Sequence, residues 1–274
     1  MNENDCVLVE KRPDGIAVIT LNNPPLNLRT LKSIELLEQA AMDLDADSTV
    51  RVVILVGCKE SRAFSAGSDV KEFAKINAMG NMTEIKTRRE NAMFTRFEKL
   101  KKPVIAALNG LAYGGGGELA LACDFRIMDE TAKICFPEIK LGAFPAGGAP
   151  ARLSRIVGYS KALELMYSAE PVLAEEALRM GLVNKVVPKG TALDAALEFA
   201  YLISKRPAAP VLALKEITQA AYLQTSDDNV AMSIRYSEPI CVSEDADEGA
   251  KAFLEKREPH FAGAPIAFYQ GGAK

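Results

Sequence analysis

The sequence predicts an α/β fold in which strands and helices alternate up to residue 190 and helices follow from there. Short β-branched runs predict the strands, and apolar residues at helical spacing lie between them. From Thr191 onward the helical spacing is almost continuous. Composition changes sharply nowhere, and there is no low-complexity linker. We therefore expect residues 1–190 and 191–274 to be two regions of one unit, without a hinge between them.

Five short apolar runs are predicted to be strands. Residues 16–21 form the first of them. Residues 52–56 and 104–108 are apolar throughout, which is typical of strands that a parallel sheet buries on both faces. Residues 125–128 and 183–187 are the remaining two. Together these runs indicate a largely parallel sheet.

The first predicted helix covers residues 30–47, where Thr30 is available as the N-cap. Residues 82–100 are rich in charge and carry apolar residues at helical spacing, which indicates an amphipathic helix. The other predicted helices cover residues 159–167, 174–180, 191–205, 208–223, 227–238 and 244–257. We expect Pro207, Pro239 and Pro259 to interrupt the last part of the chain, because proline breaks a helix interior.

Composition and charge argue against several classes of partner. The chain has 274 residues with 33 basic and 36 acidic side chains, which gives a formal net charge of -3. No basic patch suits nucleic acid, and no apolar run approaches the ~20 residues of a membrane span. The first six residues lack the basic start and apolar centre of a secretory signal. We therefore expect a cytoplasmic protein with no nucleic-acid or membrane partner.

Cysteine and histidine usage argues against metal chemistry. The five cysteines are scattered without a CxxC pair, which speaks against a disulfide framework and against a thiolate metal site. His260 is the single histidine. A mechanism with two histidines is therefore excluded, and a Ser-His-Asp relay would depend on this residue near the end of the chain. We expect no metal.

Four adjacent glycines, Gly114 to Gly117, follow the predicted strand at 104–108 and lead into a helix. Glycines let backbone N–H groups approach a ligand closely, and a helix start adds unpaired donors. The segment therefore suits an anionic oxygen. A tight strand-to-helix crossing without a ligand would give the same pattern, and the spacing matches neither GxGxxG nor a Walker motif.

Two glutamates belong to such bends. Glu118 directly follows the four glycines, and Glu138 lies in Cys135-Phe-Pro-Glu138. Taken singly, each is more often a solvated charge or a charge that complements a helix dipole. If both face one pocket, burial and mutual repulsion separate their pKa values and provide one acid and one base.

A third loop at residues 64–69 offers Asp69 as the N-cap of a following helix.

Together the three segments resemble the enoyl-CoA hydratase/isomerase family, the crotonases, over nearly the whole chain. The resemblance is carried by Phe64-Ser-Ala-Gly-Ser-Asp69, Asn109-Gly-Leu-Ala-Tyr-Gly-Gly-Gly-Gly-Glu118, Cys135-Phe-Pro-Glu138 with Leu141-Gly142, and the ending Phe253-Leu-Glu-Lys-Arg257. It implies an α/β, crotonase-like spiral of repeated β-β-α turns at residues 1–190. It further implies a C-terminal helical trimerisation region at 191–274 that also covers the site, with assembly as a trimer or a dimer of trimers.

The resemblance also implies a reaction, the addition of water to a 2-enoyl-CoA thioester to give a 3-hydroxyacyl-CoA, as in fatty-acid β-oxidation. By motif position the backbone N–H groups of Ala66 and Gly115 form an oxyanion hole for the thioester oxygen. Each such donor contributes roughly 3 to 4 kcal/mol. Glu118 and Glu138 correspond to the two hydratase glutamates, and which of them is acid or base is left open. No cofactor is implied, since CoA is part of the substrate.

The same resemblance implies where the substrate lies. The expected CoA and acyl contacts are Ala66, Gly67, Ser68, Asp69, Gly114, Pro137 and Gly142. One segment departs from the family, because Pro145-Ala-Gly-Gly-Ala-Pro-Ala-Arg152-Leu153 stands where Pro-Gly-x-Gly-Gly-Thr-Gln-Arg-Leu is usual. We expect this segment and residues 71–101 to select the acyl chain, whose length, branching and ring content stay open.

Three alternative functions use parts of the same site. A Δ3,Δ2-enoyl-CoA isomerase needs only one carboxylate to move a proton, and a dehydratase of the carnitinyl-CoA type would use the same residues. A non-catalytic binding protein of this fold should lack the glutamate pair or add a basic patch. The intact pair favours water addition.

Overall fold

The computed structural model describes residues 3–262. Its strands are β1 Val7–Lys11, β2 Ile16–Leu21, β3 Val52–Gly57, β4 Ala63–Ser65, β5 Val104–Leu108, β6 Leu111–Tyr113, β7 Phe125–Asp129, β8 Lys133–Cys135, β9 Val172–Leu173 and β10 Lys185–Val187. Its α-helices are α1 Leu31–Ala46, α2 Val70–Ala78, α3 Arg88–Glu98, α4 Gly115–Leu121, α5 Ala149–Val157, α6 Tyr159–Ser168, α7 Ala174–Arg179, α8 Ala192–Ser204, α9 Ala208–Ala220, α10 Ser226–Cys241 and α11 Glu244–Glu255.

The strands form two sheets that the chain visits in alternation. The large sheet has the order β1-β2-β3-β5-β7-β10 and is parallel from β2 onward, and the small sheet has the order β4-β6-β8-β9. Strand β3 is followed by β4, β5 by β6 and β7 by β8, so each turn of the chain adds one strand to each sheet before a helical segment. This arrangement confirms the predicted spiral of β-β-α turns.

Strands β3 and β5 at the centre of the large sheet are buried on both faces, which explains why they are apolar without alternation. On one face Leu55 and Ala106 belong to a core that includes Leu37 of α1 and Phe97 of α3. On the other face Ile54 packs in a second apolar cluster.

The predicted N-cap Thr30 of helix α1 is confirmed, since its side chain accepts the N–H of Ser33.

Helix α8 covers the outer face of the large sheet. Its residues Ala196 and Ala200 are fully buried in the cluster that contains Ile54. Before the helix, the carboxylate of Asp129 accepts the N–H groups of Gly190 and Ala192 at 2.8 and 2.9 Å. The first helix after residue 190 therefore packs directly on the large sheet.

Two predicted helices differ in form from the sequence-based expectation. Helix α10 continues through Pro239 to Cys241, so this proline does not interrupt it. Pro239 lies in the last turn, where its missing N–H removes only one helical bond. The predicted helix at 82–100 begins with a π-helical turn at Thr83–Thr87 before α3. Across residues 3–262, the helices are all too short or too polar to cross a membrane.

Candidate active site

The glycine-rich segment is a tight turn that starts helix α4. Gly114 has φ +53°, which favours glycine, and its N–H donates to the Cys135 carbonyl at 2.8 Å. Its carbonyl accepts the N–H of Glu118 at 3.0 Å. The C=O and N–H of one trans peptide point in opposite directions, so the N–H of Gly115 points out of the helix start. Within residues 3–262 this N–H has no acceptor.

The expectation that Ala66 is an oxyanion donor needs correction, because its N–H donates to the Leu26 carbonyl at 2.9 Å. The next peptide is oriented differently. The Gly67 carbonyl accepts the N–H of Arg29 at 2.8 Å, so the Ser68 N–H of that peptide points away from Arg29. No described residue accepts the Ser68 N–H. The free donor of this loop is therefore at Ser68, two positions after the predicted one.

The loops that carry these two N–H groups lie side by side. Strands β4 and β6 are parallel neighbours in the small sheet, which brings the segments after both strands together. Gly67 has φ +92°, and a Cβ at this position would lie 2.9 Å from the Tyr113 carbonyl and 3.5 Å from the Gly115 nitrogen. Only glycine suits both the conformation and the space. The two loops form one wall of the candidate site.

Glu118 is a buried carboxylate in the first turn of α4, with 4% of its surface exposed. Its Oε1 accepts the N–H of Ala149 at 3.1 Å. Gly147 leaves space for this side chain, since a Cβ there would collide with Oε2. Burial raises the pKa of Glu118 to about 7, the Ala149 bond opposes that rise, and the charge of Glu138 adds to it. The group can therefore give and take protons near neutral pH.

Glu138 approaches the glycine turn from the short 3-10 helix Pro137–Leu141. Its Oε1 lies 3.0 Å from the position that a Cβ of Gly114 would occupy. Its Oε2 is buried and has no hydrogen-bond partner within residues 3–262. Burial raises the pKa of Glu138, and the charge of Arg29 opposes that rise. The two predicted carboxylates thus flank the same turn.

The other predicted contact residues fall into two groups. Gly67, Ser68 and Gly114 lie in the wall described above, and the Cδ of Pro137 lies 4.0 Å from the Cβ position of Gly114. Asp69 instead caps α2 by accepting the N–H of Lys71 at 2.9 Å. Gly142 ends the 3-10 helix with φ +70° and is exposed. A substrate contact at Asp69 or Gly142 stays a prediction.

Arg29, which the sequence analysis did not single out, lies against the glycine turn. It is 2% exposed, and its Nη2 donates to Glu90 Oε1 at 3.0 Å. The guanidinium carbon lies 5.1 Å from the centre of the Phe94 ring. A Cβ on Gly115 would overlap Nη2 and would lie 2.7 Å from Nη1. An arginine one residue before an N-cap is ordinarily exposed, so no local pattern in the sequence indicates this burial.

Glu90 links Arg29 to the Ser68 loop. Its Oε1 also accepts the Ser68 hydroxyl at 2.9 Å. The main chain holds the same contact, because the N–H of Asp69 donates to the Arg29 carbonyl at 3.0 Å. Arg29, Ser68 and Glu90 therefore form one connected network beside the two free N–H groups.

The atypical segment at residues 145–153 closes the site over Glu118. Arg152 donates through Nη1 to the Gly147 carbonyl at 2.8 Å and through Nη2 to Glu98 at 2.7 Å. The side chain of Asn91 donates to the Ala146 carbonyl at 2.8 Å. Helix α3, which carries Asn91 and Glu98, thus holds the segment whose sequence departs from the family.

Comparisons with known proteins identify the family of this chain. The enoyl-CoA hydratase/isomerase family matches residues 11–264. The chain belongs to the enoyl-CoA hydratase/isomerase family. It is similar to a short-chain-enoyl-CoA hydratase of Clostridium acetobutylicum, with 38% identity over 256 residues that cover 92% of this chain and 95% of the relative. It is 32% identical to the 2,3-dehydroadipyl-CoA hydratase of Escherichia coli, with 93% and 98% of the two chains covered.

Solved structures show the same fold. The crystal structure of an enoyl-CoA hydratase from Bacillus anthracis matches with a TM-score of 0.90 and 34% identity, covering 94% of this chain and all of that one. The crotonase-like α/β fold predicted from the sequence is confirmed, together with a helical C-terminal region.

Proposed function

We propose that this member of the enoyl-CoA hydratase/isomerase family is an enoyl-CoA hydratase. Its substrate would be a 2-enoyl-CoA thioester and its product a 3-hydroxyacyl-CoA. The observation that carries the proposal is the convergence of two buried or half-buried glutamates, Glu118 and Glu138, on a glycine turn with a free N–H group. The names of the related hydratases support the same reaction.

The thioester oxygen is placed between the N–H groups of Ser68 and Gly115. Attack of water on the β-carbon moves electron density onto this oxygen and gives an enolate-like transition state. Donors that are already fixed in a water-poor site stabilise that charge without reorganising, and each contributes roughly 3 to 4 kcal/mol. Ser68 takes the place that the sequence resemblance gave to Ala66, because the Ala66 N–H is already bonded.

The glutamates share the proton transfers. One of them, ionised, accepts a proton from the attacking water, and the other, protonated, delivers a proton to the α-carbon. Two neighbouring carboxyl groups do not both ionise easily, and burial raises the pKa of each. A state with one proton on the pair is therefore accessible near neutral pH, and the mechanism needs that state. We assign the roles of acid and base jointly, and CoA enters only as part of the substrate.

The C-terminal helices are proposed to form a trimer or a dimer of trimers and to complete the cover of the site. Large apolar side chains are exposed on this region. Val230 and Ile234 of α10 are 58% and 56% exposed, and Phe253 and Leu254 of α11 are 82% and 80% exposed. Neighbouring apolar groups of this size are typical of surfaces that another chain covers.

The test is direct hydration of a thioester panel. Crotonyl-CoA and longer, branched and cyclic enoyl-CoA esters are offered, and the loss of conjugated absorbance is followed. We expect hydration of at least one ester and formation of the 3-hydroxyacyl-CoA. Movement of a double bond without addition of water would instead support an isomerase. Binding of every ester without reaction would support a non-catalytic member of the family.

A further inference from the structure

Arg29 is a buried cation whose hydrogen-bonding capacity is only partly used. Its side chain is 2% exposed, and Nη2 is paired with Glu90. Nε and Nη1 are buried as well, and neither has a hydrogen-bond partner within residues 3–262. Burying charged donors without acceptors is costly, and a residue that keeps such donors in a site is a candidate ligand group.

The free nitrogen Nη1 lies at the wall where the thioester oxygen is proposed to bind. It is 2.7 Å from the Cβ position of Gly115, and that position and the Gly115 amide nitrogen are attached to the same Cα. The ion pair with Glu90 and the stacking on Phe94 hold the guanidinium there. An oxygen bound to the Gly115 N–H therefore lies beside a fixed positive charge.

The charges in the site indicate which substrate atom Arg29 contacts. The Arg29–Glu90 pair is neutral as a unit. During hydration the negative charge passes from an ionised glutamate to the thioester oxygen, and the total charge of the site does not change. A fixed cation beside the oxygen stabilises the negative charge that arrives there. We propose that Arg29 is a further catalytic residue whose Nη1 donates a charge-assisted hydrogen bond to the thioester oxygen in the transition state. This inference rests on the proposed hydratase function.

A second carboxylate on the acyl chain is the competing ligand for Arg29, and two observations disfavour it. It would add a negative charge beside Glu90, Glu118 and Glu138, whereas the thioester adds none. In addition, Nε and Nη1 lie on different edges of the guanidinium, so they cannot donate two parallel hydrogen bonds to one carboxylate. The free donors instead suit single acceptor atoms.

The test compares Arg29→Met with wild type in the full-length protein. Loss of one oxyanion donor typically lowers kcat by 10²- to 10³-fold, so we expect kcat for crotonyl-CoA to fall about 10²-fold while KM changes by less than about threefold. Lys102→Met is the matched control. Lys102 is equally buried at 2% exposure, but its Nζ donates to the main-chain carbonyls of Leu44 and Asp47, away from the candidate site. We expect its kcat to stay within about threefold of wild type.

A spectroscopic readout separates contact with the thioester from mere support of the fold. Cinnamoyl-CoA carries its chromophore in conjugation with the thioester carbonyl, so donors to that oxygen shift its absorbance to longer wavelength. We expect wild type and Lys102→Met to give the full shift on binding. Arg29→Met should bind the ester with a clearly smaller shift. Arg29→Gln, which keeps donors but removes the charge, should lie between them and provides the readout if Arg29→Met does not fold.

The outcomes are distinct. A full red shift with Arg29→Met or Arg29→Gln would overturn the inference, whether or not the rate falls. A rate loss confined to enoyl-CoA esters with a second carboxylate, with crotonyl-CoA unaffected, would also overturn it in favour of substrate selection. Failure of the wild-type protein to hydrate any ester would instead contradict the proposed function itself.

Discussion

Replacing Glu118 by glutamine should make the protein more stable and less active. The glutamine keeps the size of the side chain and an oxygen that can accept the Ala149 N–H. It removes the cost of ionising a buried group whose pKa is raised from 4.5 to about 7. At 1.36 kcal/mol for each pH unit between those values, the full effect on the free energy of unfolding is about 3 kcal/mol.

The sign of this effect gives the prediction its pH dependence. Between pH 4.5 and about 7 the folded protein binds more protons at Glu118 than the unfolded chain does, so wild-type stability falls as pH rises through this window. Glu118→Gln does not lose stability in this way. The free energy of unfolding in urea should be nearly equal for Glu118→Gln and wild type at pH 4.5, and it should be about 3 kcal/mol higher for Glu118→Gln at pH 8.

The control is Glu164→Gln, at an exposed glutamate of α6 that pairs with Lys161. This change should alter the free energy of unfolding by less than about 0.5 kcal/mol at either pH. Crotonyl-CoA hydration by Glu118→Gln should fall by about 10²-fold or more, because a proton-transfer group is lost. If the extra stability of Glu118→Gln over wild type is the same at both pH values, or is absent at pH 8, burial does not raise the pKa of Glu118 as described.

Three further outcomes are expected. Glu138→Gln should lower hydration about 10²-fold or more with little change in CoA-ester affinity by calorimetry, and a near-normal rate would contradict the two-carboxylate mechanism. Gly115→Val should abolish hydration because its Cβ would overlap Arg29. Gly80→Val, with φ +71° and no atom within 4 Å of its Cβ position, should cost about 1–2 kcal/mol in thermal unfolding and leave the rate unchanged. Full activity of folded Gly115→Val would refute the clash. Sedimentation should give a trimer or hexamer, and a monomer near 29.6 kDa would refute the assembly.

The sequence predicted five of the six strands of the large sheet, all except β1, because their signals are local. Strands such as β3 and β5 are apolar throughout, and Thr30 and Asp69 cap helices as their positions suggested. None of the four strands of the small sheet was predicted. Strands β4, β6 and β8 have three residues each, too few for a periodic pattern, and they are strands only because the spiral pairs them.

The sequence predicted the two carboxylates and the Gly115 donor of the candidate site, and it missed the Ser68 donor and Arg29. Glu118 and Glu138 are recognisable from their motifs, and the structure places both at one glycine turn. The choice between Ala66 and Ser68 depends on the direction of a single peptide, which the pairing with Arg29 fixes. Burial of Arg29 depends equally on tertiary packing. Neither feature has a local sequence signal, so neither could be predicted from the residues alone.

The proposed reaction is the addition of water to an enoyl thioester by the glutamate pair. Mass spectrometry of crotonyl-CoA incubated with the protein in D₂O measures this reaction directly. We expect a 3-hydroxybutyryl-CoA with one deuterium on its α-carbon, formed quickly by wild type and about 10²-fold or more slowly by Glu118→Gln and Glu138→Gln. Unreacted crotonyl-CoA, a shifted double bond without added water, or equal rates for all three proteins would contradict it.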